Sequence, residues 1–346
     1  MNPERGIFFR FLGIFQDNGV FHSCVVLAMQ VIRGLHNLRP AHRGCVATLG
    51  NFDGVHLGHL ALFRHLMARG KALALPSLVI TFEPQPLEFL DPASSPSRLT
   101  RLREKAAVIA ETGIDRLLVL PFGPQLANLA AEVFVESLLV EALAIRLLLV
   151  GDDFRFGRGR SGDFALLKAL GIRHGFDVER LSTLTCDQQR ISSTRIREAL
   201  TSGRLGDAAD CLGRPYRMCG RVVHGSRRGR QLGFPTANLD LHRRVSPLQG
   251  VFAVWVHGLG TPRPGVANLG HRPTIDAIPK TLLEVHLLDF SGDLYGTHLA
   301  VEFFAKLRNE RRFPSLEALQ QQMASDAAFA RTLLGIPPTL RLAHDA

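Results

Sequence analysis

Two histidines three residues apart, with glycines around them, stand in Gly50-Asn51-Phe52-Asp53-Gly54-Val55-His56-Leu57-Gly58-His59. The apolar run Cys45–Leu49 before them reads as a short buried strand, and Leu60, Leu62, Phe63 and Leu66 after them recur at helical spacing. The decapeptide is therefore a strand-to-helix turn. Such a turn aims backbone N–H groups and the positive end of a helix at one point, which suits a phosphate. Gly54 and Gly58 allow a ligand close to the backbone, and His56 and His59 add donors. Read as metal ligands, the pair lacks an intervening glutamate and a third ligand, so zinc is not expected. A plain capping pair is the chemically silent alternative.

Other stretches carry similar chemistry. Ile191-Ser192-Ser193-Thr194-Arg195-Ile196-Arg197 sets hydroxyls at a helix start with arginines behind them, which caps the helix and can also bind an anion. Gly157, Gly159 and Gly162 spell G-x-G-x-x-G with Glu179 downstream. The glycines do not directly follow a strand and come late in the chain, so a dinucleotide fingerprint is rejected. Gly225 to Asn238 forms a Gly/Arg-rich loop, which composition alone allows as a solvated turn or a nucleic-acid contact. No Gly-Lys-Ser/Thr occurs, so a kinase here would need a phosphate cradle other than the Walker loop. Glu284, flanked by Leu282, Leu283, Val285 and Leu287, is either a residue on the exposed face of a strand or a general base.

These residues need a scaffold. Strand-like runs at 45–49, 78–82, 117–120, 147–150 and 178–181 alternate with helical patterns near 60–70, 101–112, 131–143 and 163–173, several closed by a glycine such as Gly113 or Gly171. This βαβ alternation predicts an open parallel sheet, with ligands beyond the carboxyl ends of its strands. Further helices span Ser193 to Ser202 and reach about Leu212. After Arg214-Pro215 the runs 251–256, 282–288 and 299–304, separated by Gly/Pro turns, predict an all-β domain. A last helix over Leu316 to Leu334 has Ser315 as N-cap and Gly335 past its end. The expected division is an extension over 1–28, a first domain over 29–212 and a second over 213–340. The extension reads as a loose segment or a mis-called start before Met29, and a signal peptide is disfavoured by Asp17-Asn18-Gly19 inside its apolar stretch.

The chain has 346 residues and is 46% hydrophobic and 21% charged, which fits two globular domains. Its net charge of +10 is carried almost wholly by arginine, lysine occurring only at positions 71, 105, 168, 280 and 306. That balance calls for an anionic partner, and arginine favours bidentate phosphate contacts. Five scattered cysteines without a Cys-x-x-Cys read as cytosolic thiols. Charges interrupt the apolar stretches, so a transmembrane helix is not expected. One Trp, two Tyr and phenylalanines placed inside apolar runs offer no stacking platform for nucleic acid.

Gly50–His59 resembles the H-x-G-H signature of nucleotidylyltransferases and, in its longer form, the bacterial bifunctional riboflavin kinase/FAD synthetases. Ser192 to Arg197 is similar to that family's S-S-T-x-I-R, Gly151–Gly157 to its G-D-D-F-x-F-G, and Thr81–Pro86 to its T-F-x-P-x-P. Gly233–Asn238 resembles the riboflavin-kinase G-F-P-T-A-N. Gly265–Gly270 with Arg272-Pro273-Thr274, Leu283–Leu288, and Leu307–Phe313 add further matches. Phe122-Gly123 departs from a Phe-Asn pair carried by some relatives, which bears on an asparagine contribution to adenylylation and not on the activity itself.

The resemblance implies an α/β Rossmann-like nucleotidylyltransferase domain followed by an all-β riboflavin-kinase barrel with a C-terminal helix. It implies that riboflavin is phosphorylated by ATP to FMN, and that FMN is adenylylated by a second ATP to FAD with release of pyrophosphate. The implied catalytic residues are His56, His59, Ser193, Thr194 and Arg197 for adenylyl transfer and Glu284 for the kinase. ATP and its phosphates would meet Gly50, Asn51, Phe52, Asp53, Gly54, Gly58, Asp153, Phe154, Phe156 and Ser192 in the first site. In the second they would meet Gly225, Arg230, Gly233, Pro235, Thr236 and Asn238, with Thr236 and Asn238 also holding Mg²⁺. The flavin would contact Phe82 and Pro84 in one domain and Asn268 and Arg308 in the other. The expected setting is cytoplasmic, with neither nucleic acid nor membrane as partner. The rival readings are a basic nucleic-acid-binding protein and an adenylyltransferase for another acceptor.

Overall fold

The computed structural model describes residues 29–186, 189–225, 232–243, 245–272 and 280–337. The expected extension over 1–28 and Arg230 lie outside the described residues. The chain forms two compact units, Met1–Pro96 with Thr100–Ile191, and Ser97–Leu99 with Ser192–Ala346.

The first unit is built on six strands: β1 (Gln30–Arg33), β2 (Val46–Leu49), β3 (Ser77–Glu83), β4 (Arg116–Pro121), β5 (Leu147–Gly151) and β6 (Asp177–Leu181). They lie in the order β1-β4-β3-β2-β5-β6 with every neighbouring pair parallel. All four residues of β2 are buried, as expected where helices cover both faces of a parallel sheet. Period-two alternation divides the core. Ala47, Leu49, Leu78, Ile80, Leu148 and Val150 point to one face and Val46, Val79, Leu117, Val119, Leu147 and Leu149 to the other. Helices α1 (Leu57–Leu73), α2 (Pro86–Leu90), α3 (Leu102–Glu111), α4 (Pro124–Ala127), α5 (Ala131–Phe134) and α6 (Phe164–His174) connect the strands. The helix expected over 131–143 continues beyond α5 as a π-helix over Val135–Ala142. A two-residue hairpin, β7 (Thr185–Cys186) with β8 (Gln189–Arg190), follows β6.

One local expectation needs correction, and one strand went unread. Gly171 does not close α6. It lies inside the helix, where a Cβ would sit 2.6 Å from the Phe176 carbonyl oxygen, and Gly175, at φ 76°, makes the cap. The segment after Met29 is a parallel edge strand, β1, whose four residues gave too short an apolar pattern to be read as one.

The second unit contains α7 (Ser193–Thr201), α8 (Leu205–Leu212), a closed barrel and α9 (Leu316–Leu333). The barrel strands are β9 (Arg217–Val223), β10 (Ala237–Asp240), β11 (Gly250–His257), β12 (Arg263–Arg272), β13 (Lys280–Leu287) and β14 (His298–Arg308), in the cyclic order β10-β13-β12-β11-β14-β9. All six pairings are antiparallel. Met218, Leu239, Phe252, Val254, Ala267, Leu269, Leu283, Val285, Val301 and Phe303 fill the interior. Helix α9 packs on β11, β12 and β14, and its first turn is capped by Ser315 Oγ, which accepts from Ala318 N at 3.2 Å. Packing divides the chain at Ile191/Ser192, ahead of the expected division near residue 212, because α7 and α8 gather with the second unit.

Candidate active sites

In the first unit strand order reverses between β2 and β5, the place where open parallel sheets bind ligands. The decapeptide leaves β2 there and enters α1. His56 is the N-cap, its Nδ1 accepting from His59 N at 3.4 Å, and the two imidazoles stack at 3.6 Å between centroids. Both rings therefore sit at the positive end of a 17-residue helix. Gly58 makes room for them, since a Cβ there would stand 3.1 Å from the His56 ring.

The predicted members of this loop divide by depth. Asn51 is exposed and His59 half-buried, whereas Phe52 and Asp53 are each 3% exposed. Phe52 packs edge-on against Phe63 and His59, and Asp53 Oδ1 accepts from Thr100 N at 2.9 Å and from Thr100 Oγ1 at 3.2 Å. These two act from beneath the turn rather than on its surface. Gly54 takes φ 83°, natural for glycine, but Phe52 and Val55 hold φ 46° and 44°. Non-glycine residues in that region cost about 1–3 kcal/mol each and persist only where the surroundings enforce them.

The segments that follow β5, β3 and β4 lie at the carboxyl edges of the same sheet. After β5, Phe154 and Phe156 stack at 5.6 Å with Phe156 buried, and exposed Asp153 pairs with Arg190. At the end of β3, Phe82 is buried and the Glu83-Pro84 peptide that follows is cis. Phe82 meets the Phe122 ring at 5.8 Å, so Phe82, Pro84 and Phe122 form an apolar, aromatic edge fit for a flat ring.

In the second unit Ser192 Oγ caps α7, accepting from Arg195 N at 3.2 Å, and Ser193 and Thr194 begin the helix. Arg197 Nε donates to the Ser97 carbonyl at 2.6 Å.

The barrel assembles its site by register. Asn238 pairs with Glu284 across β10 and β13, Glu284 with Asn268 across β13 and β12, Asn268 with Val251, and Val251 with Arg308. Directly paired residues present side chains to one face, so these form a single row on the outer surface of the barrel. They line a cleft of about 350 Å³ together with Thr236, His286 and Asp326. Glu284 thus lies on the outward face of its strand and lines a cleft as well. Asn238 is 7% exposed, and Gly225 is the residue that admits it, because a Cβ there would stand 2.3 Å from the Asn238 amide. Gly233 sits at φ 81° at the start of the turn that leads into Pro235 and Thr236.

Two residues to which the sequence reading gave no role complete this cleft. His286 Nδ1 bonds the Pro235 carbonyl at 2.9 Å, and burial holds the imidazole below its ordinary pKa. The carbonyl can only accept, so Nδ1 carries the proton. Asp326 of α9, 5% exposed, grips Arg308 through Nε at 3.0 Å and Nη2 at 2.7 Å, and takes a further bond from Gln322 Nε2 at 2.8 Å. Arg308 therefore lines the cleft already held by a carboxylate.

Thr236, Asn238, Asn268 and Glu284 offer oxygens of the hard kind that Mg²⁺ prefers, and Asn268 Oδ1 is buried with no protein partner. No group of three or more His, Cys, Asp or Glu that could hold a metal occurs among the described residues. Mg²⁺ with a nucleotide needs only one or two protein oxygens, phosphates and water completing its shell.

A parallel-sheet nucleotidyltransferase-like domain and a six-stranded riboflavin-kinase-like barrel with a terminal helix define the class. The FAD synthetase family model matches residues 38–195 and the riboflavin kinase model residues 212–334. The bifunctional riboflavin kinase/FMN adenylyltransferase of Pseudomonas fluorescens is 52% identical over 88% of this chain and 98% of its own. That of Escherichia coli K12 is 51% identical over 89% and 99%. A crystal structure of a macrolide-efflux protein from Streptococcus pneumoniae superposes with TM-score 0.73 at 30% identity, covering 87% of this chain and 98% of that one. No helix among the described residues is long and apolar enough to cross a membrane. The chain belongs to the bifunctional riboflavin kinase/FMN adenylyltransferase family.

Proposed function

We propose that the barrel phosphorylates riboflavin and that the parallel-sheet domain adenylylates the product. The register row Asn238–Glu284–Asn268 beside Thr236 is the observation that supports this most directly, because it gathers a base and phosphate ligands from three strands at one level.

In the kinase step the flavin's ribityl 5′-hydroxyl oxygen attacks the γ-phosphorus of ATP, the bond to the bridging oxygen breaks, and ADP leaves. Glu284 takes the hydroxyl proton. Thr236 and Asn238 hold the phosphates and Mg²⁺, which when bound neutralises charge on the transferring group. Gly225, Gly233 and Pro235 shape that cradle, with Arg230 as a further phosphate contact, and Asn268 and Arg308 orient the flavin.

In the adenylyl step an FMN phosphate oxygen attacks the α-phosphorus of a second ATP, and pyrophosphate leaves. His56 and His59 at the head of α1 stabilise the charge that develops, with the backbone of Gly50, Asn51, Gly54 and Gly58. Ser192, Ser193, Thr194 and Arg197, at the start of α7, are assigned to triphosphate binding. Asp153, Phe154 and Phe156 border the nucleotide, Phe82 and Pro84 border the flavin, and Phe52 and Asp53 shape the loop from below. We assign 29–212 and 213–340 as the functional domains and the cytoplasm as the setting.

The test is incubation with riboflavin, ATP and Mg²⁺ and chromatography of the flavins. FMN followed by FAD is expected. Absence of both sinks the reading, and FMN without FAD sinks its adenylyl half.

A further inference from the structure

The strained loop over Phe52–Val55 is tied down by a segment that no motif includes. Lys105, the fourth residue of α3, is 1% exposed, more deeply buried than any arginine among the described residues. Its ammonium donates to the Asn51 carbonyl and, at 3.3 Å, to Thr81 Oγ1, whose own hydroxyl donates to the same carbonyl at 3.3 Å. Five residues earlier, Thr100 holds the other end of the turn. Its Oγ1 accepts from Gly54 N at 2.9 Å and its N–H and hydroxyl both donate to Asp53 Oδ1.

Burying a cation is costly, and lysine is almost never fully buried without compensation. In a chain that otherwise relies on arginine, a compact ammonium here fits a narrow space that a planar fork would not. Phe52 keeps its left-handed backbone between these two tethers and Val55 keeps its own directly after the second, so the tethers enforce a conformation the chain would otherwise leave.

We propose that Thr100 and Lys105 are positioning residues for adenylyl transfer, fixing Asn51–Gly54 so that the turn and the histidines behind it meet the triphosphate in register. Neither touches substrate; both act through the loop. This rests on the proposed adenylyl site.

The full chain is assayed for FMN-to-FAD conversion over a range of ATP concentrations, for riboflavin phosphorylation in the same preparations, and for thermal unfolding. Lys105→Met and Thr100→Val are each expected to lower kcat/KM for ATP in adenylyl transfer roughly 100-fold, the scale of a small misplacement at a reacting centre. KM for FMN and the kinase rate should stay within about twofold, and Thr100→Ser, which keeps the hydroxyl, should restore most of the activity. Folded variants that retain adenylyl transfer overturn the proposal, as does a parallel fall in both activities. If Lys105→Met does not fold, the Thr100→Val and Thr100→Ser pair decides alone. Failure of the unaltered chain to make FAD from FMN overturns the functional reading itself, a result visible before any variant is compared.

Discussion

The two candidate sites are built by opposite means. The adenylyl loop is contiguous, ten residues between a strand and a helix, and its donors converge because a helix N-terminus makes them converge. The kinase row comes from β10, β11, β12, β13 and β14, residues up to seventy positions apart, and its members meet only because strand register brings them to one level. The first site stores its precision in backbone strain held from below, the second in the pairing of a closed barrel. A contiguous site can be broken by a single local change that leaves the barrel alone, and the reverse also holds.

The largest expected effect breaks the registered site. Glu284→Gln keeps the shape of the row and removes the base, so riboflavin phosphorylation should fall about 10²–10⁴-fold, the usual contribution of general base catalysis. Supplied FMN should still become FAD, and loss of both activities in a folded variant would refute independent sites.

The reciprocal change targets the loop. His59→Ala is preferred to His56→Ala because the His56 ring also caps α1, so its removal would mix chemistry with helix stability. Adenylyl transfer should fall about 10²–10³-fold with His59→Ala, as on loss of one preorganised donor. The flavin product should then stop at FMN. Continued FAD synthesis at the original rate would remove His59 from the site.

A smaller effect sharpens the role of close packing. Gly225→Ala puts a methyl group against the Asn238 amide, which must turn away from its place beside Glu284. We expect the kinase KM for ATP to rise about tenfold, equivalent to ~1.4 kcal/mol, with adenylyl transfer unchanged. An unaltered KM would mean that Asn238 does not need that position.

The same contrast explains what the sequence disclosed. The decapeptide, the strands at 46–49 and 147–151, and α9 with its Ser315 cap were legible because each is specified by residues adjacent in the chain. Glu284 was ambiguous from periodicity alone, since alternation says which residues share a face but not what covers it. Asp326 and His286 went unread because one sits in an ordinary amphipathic helix and the other beside a residue already singled out. Lys105 looked like any lysine of a helix; only the packing of α3 under the loop makes it different. Gly171 misled because a glycine near a helix end can mark the end or a close backbone approach, and here Phe176 decides.

The smallest expected effect lies away from both sites, on the barrel wall, where β9, β11 and β14 meet. Glu302 accepts from His257 at 3.2 Å and from Arg217 Nε at 2.7 Å. Burial alone would raise its carboxyl pKa, but the bond from His257 and the Arg217 charge outweigh it and hold the group below its ordinary value. A carboxylate whose pKa is depressed on folding stabilises the native state above its unfolded pKa, near 4.3, and loses that contribution as pH falls through the folded value. Arg217 is half exposed, so solvent screening keeps the pair to about 1 kcal/mol or less. Glu302→Gln should therefore lower the unfolding midpoint slightly at pH 7, and the difference from the unaltered chain should shrink in a second measurement at acid pH, as Glu302 becomes protonated in the folded state too. Midpoints compared at both pH values decide it: a difference that persists undiminished in acid would show that shape and hydrogen bonding, rather than charge, make Glu302 matter to the barrel.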